Sequence, residues 1–149
     1  MRSLLSTLFA ATSLVALGAM LPLASPARAE GAIAVGMPAD VAQQGVAFGW
    51  VVGYATRQDA EREALKQCHN FKDAPESTRA LCAVMRTFKN ECFAIALDPE
   101  AGTPGVGWAI LPTSQAAQSK AMADCRATAG STRERFCKVT SARCDGSAK

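Results

Sequence analysis

Histidine is almost missing from this 149-residue chain: His69 is the only one. It sits beside Cys68 near an expected helix end, where a solvated or dipole-stabilised imidazole is the ordinary reading. There is no G-x-S-x-G elbow, no H-E-x-x-H and no phosphate loop, so three common catalytic and nucleotide signatures are absent. No C-x-x-C pair exists, which argues against a zinc site taking two ligands from one tight turn. Lysine and arginine nowhere cluster densely enough to form a nucleic-acid footprint. After the N-terminal segment no second apolar run is long enough to span a bilayer.

The one long apolar run, from Leu4 to about Ala24, follows a lone basic residue, Arg2. Small residues then end in Ala27-Arg28-Ala29, an A-x-A cleavage pattern. Ser6, Thr7, Thr12, Ser13 and Pro22 interrupt the run, and no basic stop cluster follows, which favours a cleaved leader over a membrane anchor. Residues 1–29 are therefore expected to be a signal peptide, and 30–149 one exported domain with no membrane segment. Without Arg2 and Arg28 the domain has 14 basic and 13 acidic residues, close to neutral. Residues 100–149 carry seven basic and four acidic side chains, a bias that reads as a solvated face.

All six cysteines lie in the exported part, and an even number there reads as a disulfide framework. The second half also echoes the first. Ala32-Ile33-Ala34-Val35 returns as Ala94-Ile95-Ala96-Leu97, and Gly49-Trp50 as Gly107-Trp108. Ala60, Ala64, Leu65 and Cys68 return at one offset as Ala117, Ala121, Met122 and Cys125, and Cys82 answers to Cys137. Such a pattern reads as one unit used twice, about 30–91 and 92–149. Fifteen pairings of six cysteines are possible. Equivalent units should carry equivalent bridges, which selects Cys68–Cys82 and Cys125–Cys137 and leaves Cys92–Cys144. A β-hairpin turning at Lys89-Asn90-Glu91 would agree, because it sets Cys92 opposite Phe88 and out of reach of Cys82.

Each unit reads as strand, strand, helix, strand. In the first, Ala32–Val35 and Phe48–Ala55 are strands, and the segment from Met37 to Gly45 is a loop. Thr56 with Asp59 three residues on opens a helix that runs from Arg57 to about Cys68. Ala60, Ala64 and Cys68 make its buried stripe, and their small size lets the helix come close to a sheet. Asn70–Ala80 reads as an exposed loop and Leu81–Phe88 as the third strand. The second unit reads as Phe93–Leu97, Val106–Leu111, a helix capped by Thr113 or Ser114 that reaches about Arg126, and Phe136–Arg143. The expected fold class is α+β, two tandem ββαβ units in one domain. Antiparallel sheet structure carries two packed helices and disulfide staples.

These residues resemble a known family. Gly31-Ala-Ile-Ala-Val, the Gly49-Trp50 strand and the helix ending at Cys68 all fit it. So do the run Phe88-Lys89-Asn90-Glu91-Cys92-Phe93-Ala94-Ile95-Ala96 and the unit from Gly107-Trp108 to Cys125. Together they are similar to the bacterial exported family named domain of unknown function 4189, over essentially the whole of 30–149. The resemblance implies an exported, internally duplicated α+β module with no established chemistry, and no catalytic or cofactor residue is carried over.

No catalytic, cofactor-binding or metal-binding residue is assigned from the sequence. The six cysteines are the expected structural sites. Asp59, Glu61 and Glu63 complement the start of a helix. Trp50 and Trp108, at matched strand positions, read as core or rim residues first, with the lining of a ligand groove as the alternative. Gly45, Gly49, Gly102, Gly105 and Gly107 read as turns and bulges. The favoured function is a non-enzymatic interaction module in the periplasm or outside the cell, with another protein or envelope component as partner. It needs no cofactor and binds no nucleic acid. The competing reading is a small envelope hydrolase using carboxylates such as Glu61, Glu91 or Asp145. Convergence of such a pair in a concave pocket would favour it.

Overall fold

The computed structural model describes residues 29–149, so the expected leader lies outside the described residues except for Ala29. The elements run β1 Glu30–Gly36, α1 Val41–Gln44, β2 Ala47–Tyr54, α2 Arg57–His69, α3 Glu76–Arg79, β3 Ala83–Phe88, β4 Cys92–Leu97, β5 Val106–Leu111, α4 Ser114–Ala129 and β6 Lys138–Cys144. They form two antiparallel three-stranded sheets, ordered β2-β1-β3 and β5-β4-β6. In each half the first strand of the chain is the central one. The fold class is α+β.

Period-two alternation makes four layers of this. On one face of the first sheet, Ala32, Ala34, Ala47 and Val51 pack under Ala60, Ala64 and Cys68 of α2. On one face of the second, Ala94, Ala96 and Ala109 pack under Ala117, Ala121, Cys125 and Ala129 of α4. The opposite faces meet each other through Ile33, Val35, Phe48, Phe88, Phe93, Ile95, Val106 and Ile110. Alanines therefore seat the helices, and large side chains fill the space between the sheets.

The helix starts follow local rules. Thr56 accepts the Asp59 N–H at 3.1 Å, and Thr113 accepts the Ala116 N–H at 3.2 Å, so Thr113 and not Ser114 is the second cap. Asp59 also takes bonds from the Thr56 hydroxyl and from Arg62, which hold its carboxyl below the ordinary range.

Three disulfides close: Cys68–Cys82, Cys125–Cys137 and Cys92–Cys144. The first two tie each long helix to the approach of its sheet's last strand. The third joins directly opposed residues of β4 and β6. At the corresponding place in the first sheet, Lys89 and Glu30 form an ion pair at 3.8 Å. Loop-entropy estimates give about 3 kcal/mol for each short bridge and about 4 kcal/mol for the long one.

Three expectations change. No hairpin turns at Lys89-Asn90-Glu91: β3 pairs with β1, β4 pairs with β5 and β6, and the chain crosses between the sheets. Asn90 adopts φ 53° there, and Phe88 and Phe93 on either side are both buried between the sheets. Asn70–Ala80 is not simply an exposed loop. It contains α3, Ala74 and Thr78 are buried, and the Thr78 hydroxyl donates to the Gln44 carbonyl at 2.7 Å. The segment after Met37 likewise contains α1, capped by Asp40, whose side chain accepts the Gln43 N–H.

Candidate functional site

The glycine–tryptophan pairs build the site. A Cβ on Gly49 would overlap the Ala64 carbonyl and the Cys68 nitrogen, and one on Gly107 would overlap the Ala121 carbonyl and the Cys125 nitrogen. These glycines are therefore not turn or bulge residues. They lie within β2 and β5, where only a missing side chain lets the helix backbone rest on the strand. The next residue points the other way. Trp50 thus reaches the space between the sheets, its ring 4.7 Å from that of Phe93, and Trp108 packs against the same inter-sheet core.

Each tryptophan begins a row across its sheet. In the first sheet Trp50 pairs with Ile33 and Ile33 with Arg86. In the second, Trp108 pairs with Ile95 and Ile95 with Ser141. The rows face each other with their ends opposed. At one end Arg86 crosses to the second sheet, donating to the Ile110 carbonyl at 3.3 Å and to Glu91 at 2.8 and 2.9 Å. At the other end the short Ser141 side chain faces Trp50, and a cleft of about 730 Å³ opens.

Phe48, Trp50, Phe71, Ile95 and Leu97 give this cleft apolar walls, with Gln67, Asn70, Thr140 and Ser141 as hydrogen-bonding groups. Lys72 and Asp73 complete its lining. A second cleft of about 480 Å³ adjoins it across Phe71, Asp73 and Leu97 and runs between α1 and the loop 98–105.

That loop is held by a buried carboxylate. Arg133 donates to Asp98 at 2.6 and 2.9 Å and also meets Glu100 at 2.7 Å. The Arg133 bonds hold the Asp98 carboxyl at about 2, below its ordinary 3.8, and raise the guanidinium's own value. Arg133 and Arg135 also each lie 4.7 Å from the Phe136 ring centroid.

The carboxylates considered from sequence do not meet in either cleft. Glu61, Glu91 and Asp145 line neither. Glu91 is taken by Arg86. Asp145 is buried, and its Oδ1 accepts the Gly53 N–H at 2.7 Å, tying the last residues to β2. The N–H of Asp145 donates to the Glu91 carbonyl at 2.9 Å, so the two residues are neighbours through their main chains. His69 donates from Nδ1 to the Arg79 carbonyl at 2.9 Å. All six cysteines are in disulfides, and among the described residues no group of three His, Cys, Asp or Glu is placed to hold a metal ion. No helix there is long and apolar enough to cross a membrane.

In the sequence the tryptophans rank as core or rim ahead of groove lining, and nothing there locates the cleft. The difference between Arg86 and Ser141 at matched row positions was the available signal. It needs the strand register before it can be read.

Residues 31–144 match the family model described as "Domain of unknown function (DUF4189)". The chain belongs to that family. No curated protein and no solved structure matches it. In this DUF4189 domain the matched segment contains both sheets, both long helices and all three disulfides, apart from Glu30 at the start of β1.

Proposed function

We propose that the domain is an exported, non-enzymatic interaction module that holds its partner in the cleft before Trp50. The observation that carries this reading is the unequal ends of the stacked rows: Arg86 bridges the two sheets at one, and a cleft lies beside Trp50 and Ser141 at the other. A mixed cleft on a scaffold with three disulfides suits recognition, because little ordering entropy is lost on binding. Export is supported by the A-x-A leader pattern in the sequence and by the disulfides. The carboxylate-hydrolase reading gains no support from residues that line neither cleft.

The test compares capture of envelope components by residues 30–149 and by their Ser141→Phe variant. Residue 141 is half-buried beside the apolar walls of the cleft, so phenylalanine there should fill it without adding an unpaired charge. Components captured by the parent and lost by the variant support the reading. Identical capture by a folded variant refutes it.

A further inference from the structure

The two ends of the stacked rows differ in charge as well as in volume. At the closed end the Arg86 guanidinium is met by the Glu91 carboxylate. At the open end the Arg143 guanidinium lies 5.8 Å from the Trp50 ring centroid, and its side chain donates only to the adjacent Ala142 carbonyl. Lys72 lines the cleft itself, and Arg143 stands beside it against Trp50. Among the described residues neither Arg143 nor Lys72 forms an ion pair. Asp73 is the one acid lining this cleft, and it stands where the second cleft adjoins.

The backbone adds a second constraint. β2 is an edge strand whose only strand partner is β1; its Gly53 N–H is taken by the Asp145 side chain, which leaves the stretch around Trp50 for pairing. The Trp50 N–H meets the Gln67 side-chain oxygen at 3.4 Å, well beyond the ~2.9–3.0 Å usual for such bonds. That N–H therefore points out of the sheet, and by the antiparallel pattern the Trp50 carbonyl points the same way. Gln67 is exposed near the end of α2, so it can swing away without uncovering a buried group.

We propose that the cleft takes an extended peptide segment bearing an acidic side chain. The peptide adds as a further strand on the open edge of β2, and its carboxylate sits on Arg143 and Lys72. This rests on the binding reading above and names the partner. A peptide carbonyl replaces the Gln67 oxygen on the Trp50 N–H, and side chains on one face of the added strand enter the cleft. The carboxylate does at the open end what Glu91 does for Arg86 at the closed one. An acidic glycan shares the charge but has no extended amide backbone to pair with β2.

The probes are blocked heptapeptides of alternating valine and threonine, with glutamate or glutamine at the centre. A third copy of the glutamate peptide carries N-methyl groups on its strand-pairing amides, and a uronic-acid oligosaccharide is the fourth probe. Calorimetric titration at low salt should show the glutamate peptide binding about ten-fold more tightly than the glutamine one. N-methylation should abolish binding. Arg143→Gln, a change at an exposed residue, should leave the circular dichroism unchanged and erase the glutamate preference. Equal binding of the two peptides, indifference to N-methylation, or binding of the oligosaccharide alone overturns the proposal. Loss of extract capture in Ser141→Phe without any glutamate preference sinks this inference alone. Unchanged capture in that variant sinks the binding reading as well.

Discussion

Replacing Gly107 by alanine tests the packing on which the whole architecture depends. The new Cβ would overlap the Ala121 carbonyl oxygen and the Cys125 nitrogen and lie 2.9 Å from the Asp124 Cβ. The first two obstacles are backbone, so no rotamer change relieves them. Helix α4 must lift by roughly 1 Å, and the seats of Ala117, Ala121 and Cys125 on β4 and β5 open with it. Overpacking costs about 1–3 kcal/mol, and a rigid obstacle belongs at the upper end. The lower unfolded-state entropy of alanine returns no more than about 1 kcal/mol. A net loss of about 2–3 kcal/mol should lower the Tm of a domain this size by roughly 10 °C. The assay is thermal unfolding followed by circular dichroism under non-reducing conditions. The Gly107→Ala, Ala121→Gly double variant should be no more stable than the single one, because a carbonyl is in the way and not a side chain. A Gly107→Ala protein within about 0.5 kcal/mol of the parent would refute the close approach of α4 to β5.

Ala64→Leu should cost about 1–3 kcal/mol by overpacking α2 against the first sheet. Glu63→Ala, off that face, should cost under about 0.5 kcal/mol; equal urea midpoints for the two would reject the assigned face. Protein made in an oxidising compartment should take up no alkylating label without reduction, and two or more labelled cysteines by mass spectrometry would contradict the three bridges. The Asp98 carboxyl, depressed to about 2, adds stability that is fully present above its unfolded value of 3.8 and is lost as pH falls from there toward 2. Tm measured from pH 5 to pH 2 should therefore fall more steeply for the parent than for Asp98→Asn; parallel curves would show that the Arg133 pair does not couple to folding.

Much of the fold was readable because local and global signals agree. The alanine stripes at i, i+4 and i+8 placed both long helices, and threonine caps marked their starts. Matched cysteines proposed the bridges that the structure contains. The unread parts depend on contacts remote in sequence. Lys89-Asn90-Glu91 has the composition of a hairpin turn, and only the burial of Phe88 and Phe93 between two sheets makes it a crossing. Thr78 looks like a loop residue until the Gln44 carbonyl, 34 positions away, is seen to accept its hydroxyl. The glycines of β2 and β5 look like breakers because their partner is a helix backbone, which has no sequence pattern of its own.

The same physics shapes the cleft before Trp50. Both halves need glycine beneath the helix, and the alternation of a strand then sends the following tryptophan into the space between the sheets. Where the stacked rows end, the gap between the sheets is taken up by a long side chain, by water or by a ligand. At one end the exposed Arg86 reaches across, Glu91, five residues on, meets its charge, and the Ile110 carbonyl accepts a further hydrogen bond. At the opposite corner Ser141 is too short to reach across, and the nearby cation, Arg143, has no carboxylate. A bulky uncharged side chain in place of Ser141 would fill that corner from within, so Ser141→Phe should lose partner capture, and a folded variant that captures as the parent does would refute the cleft as the binding site.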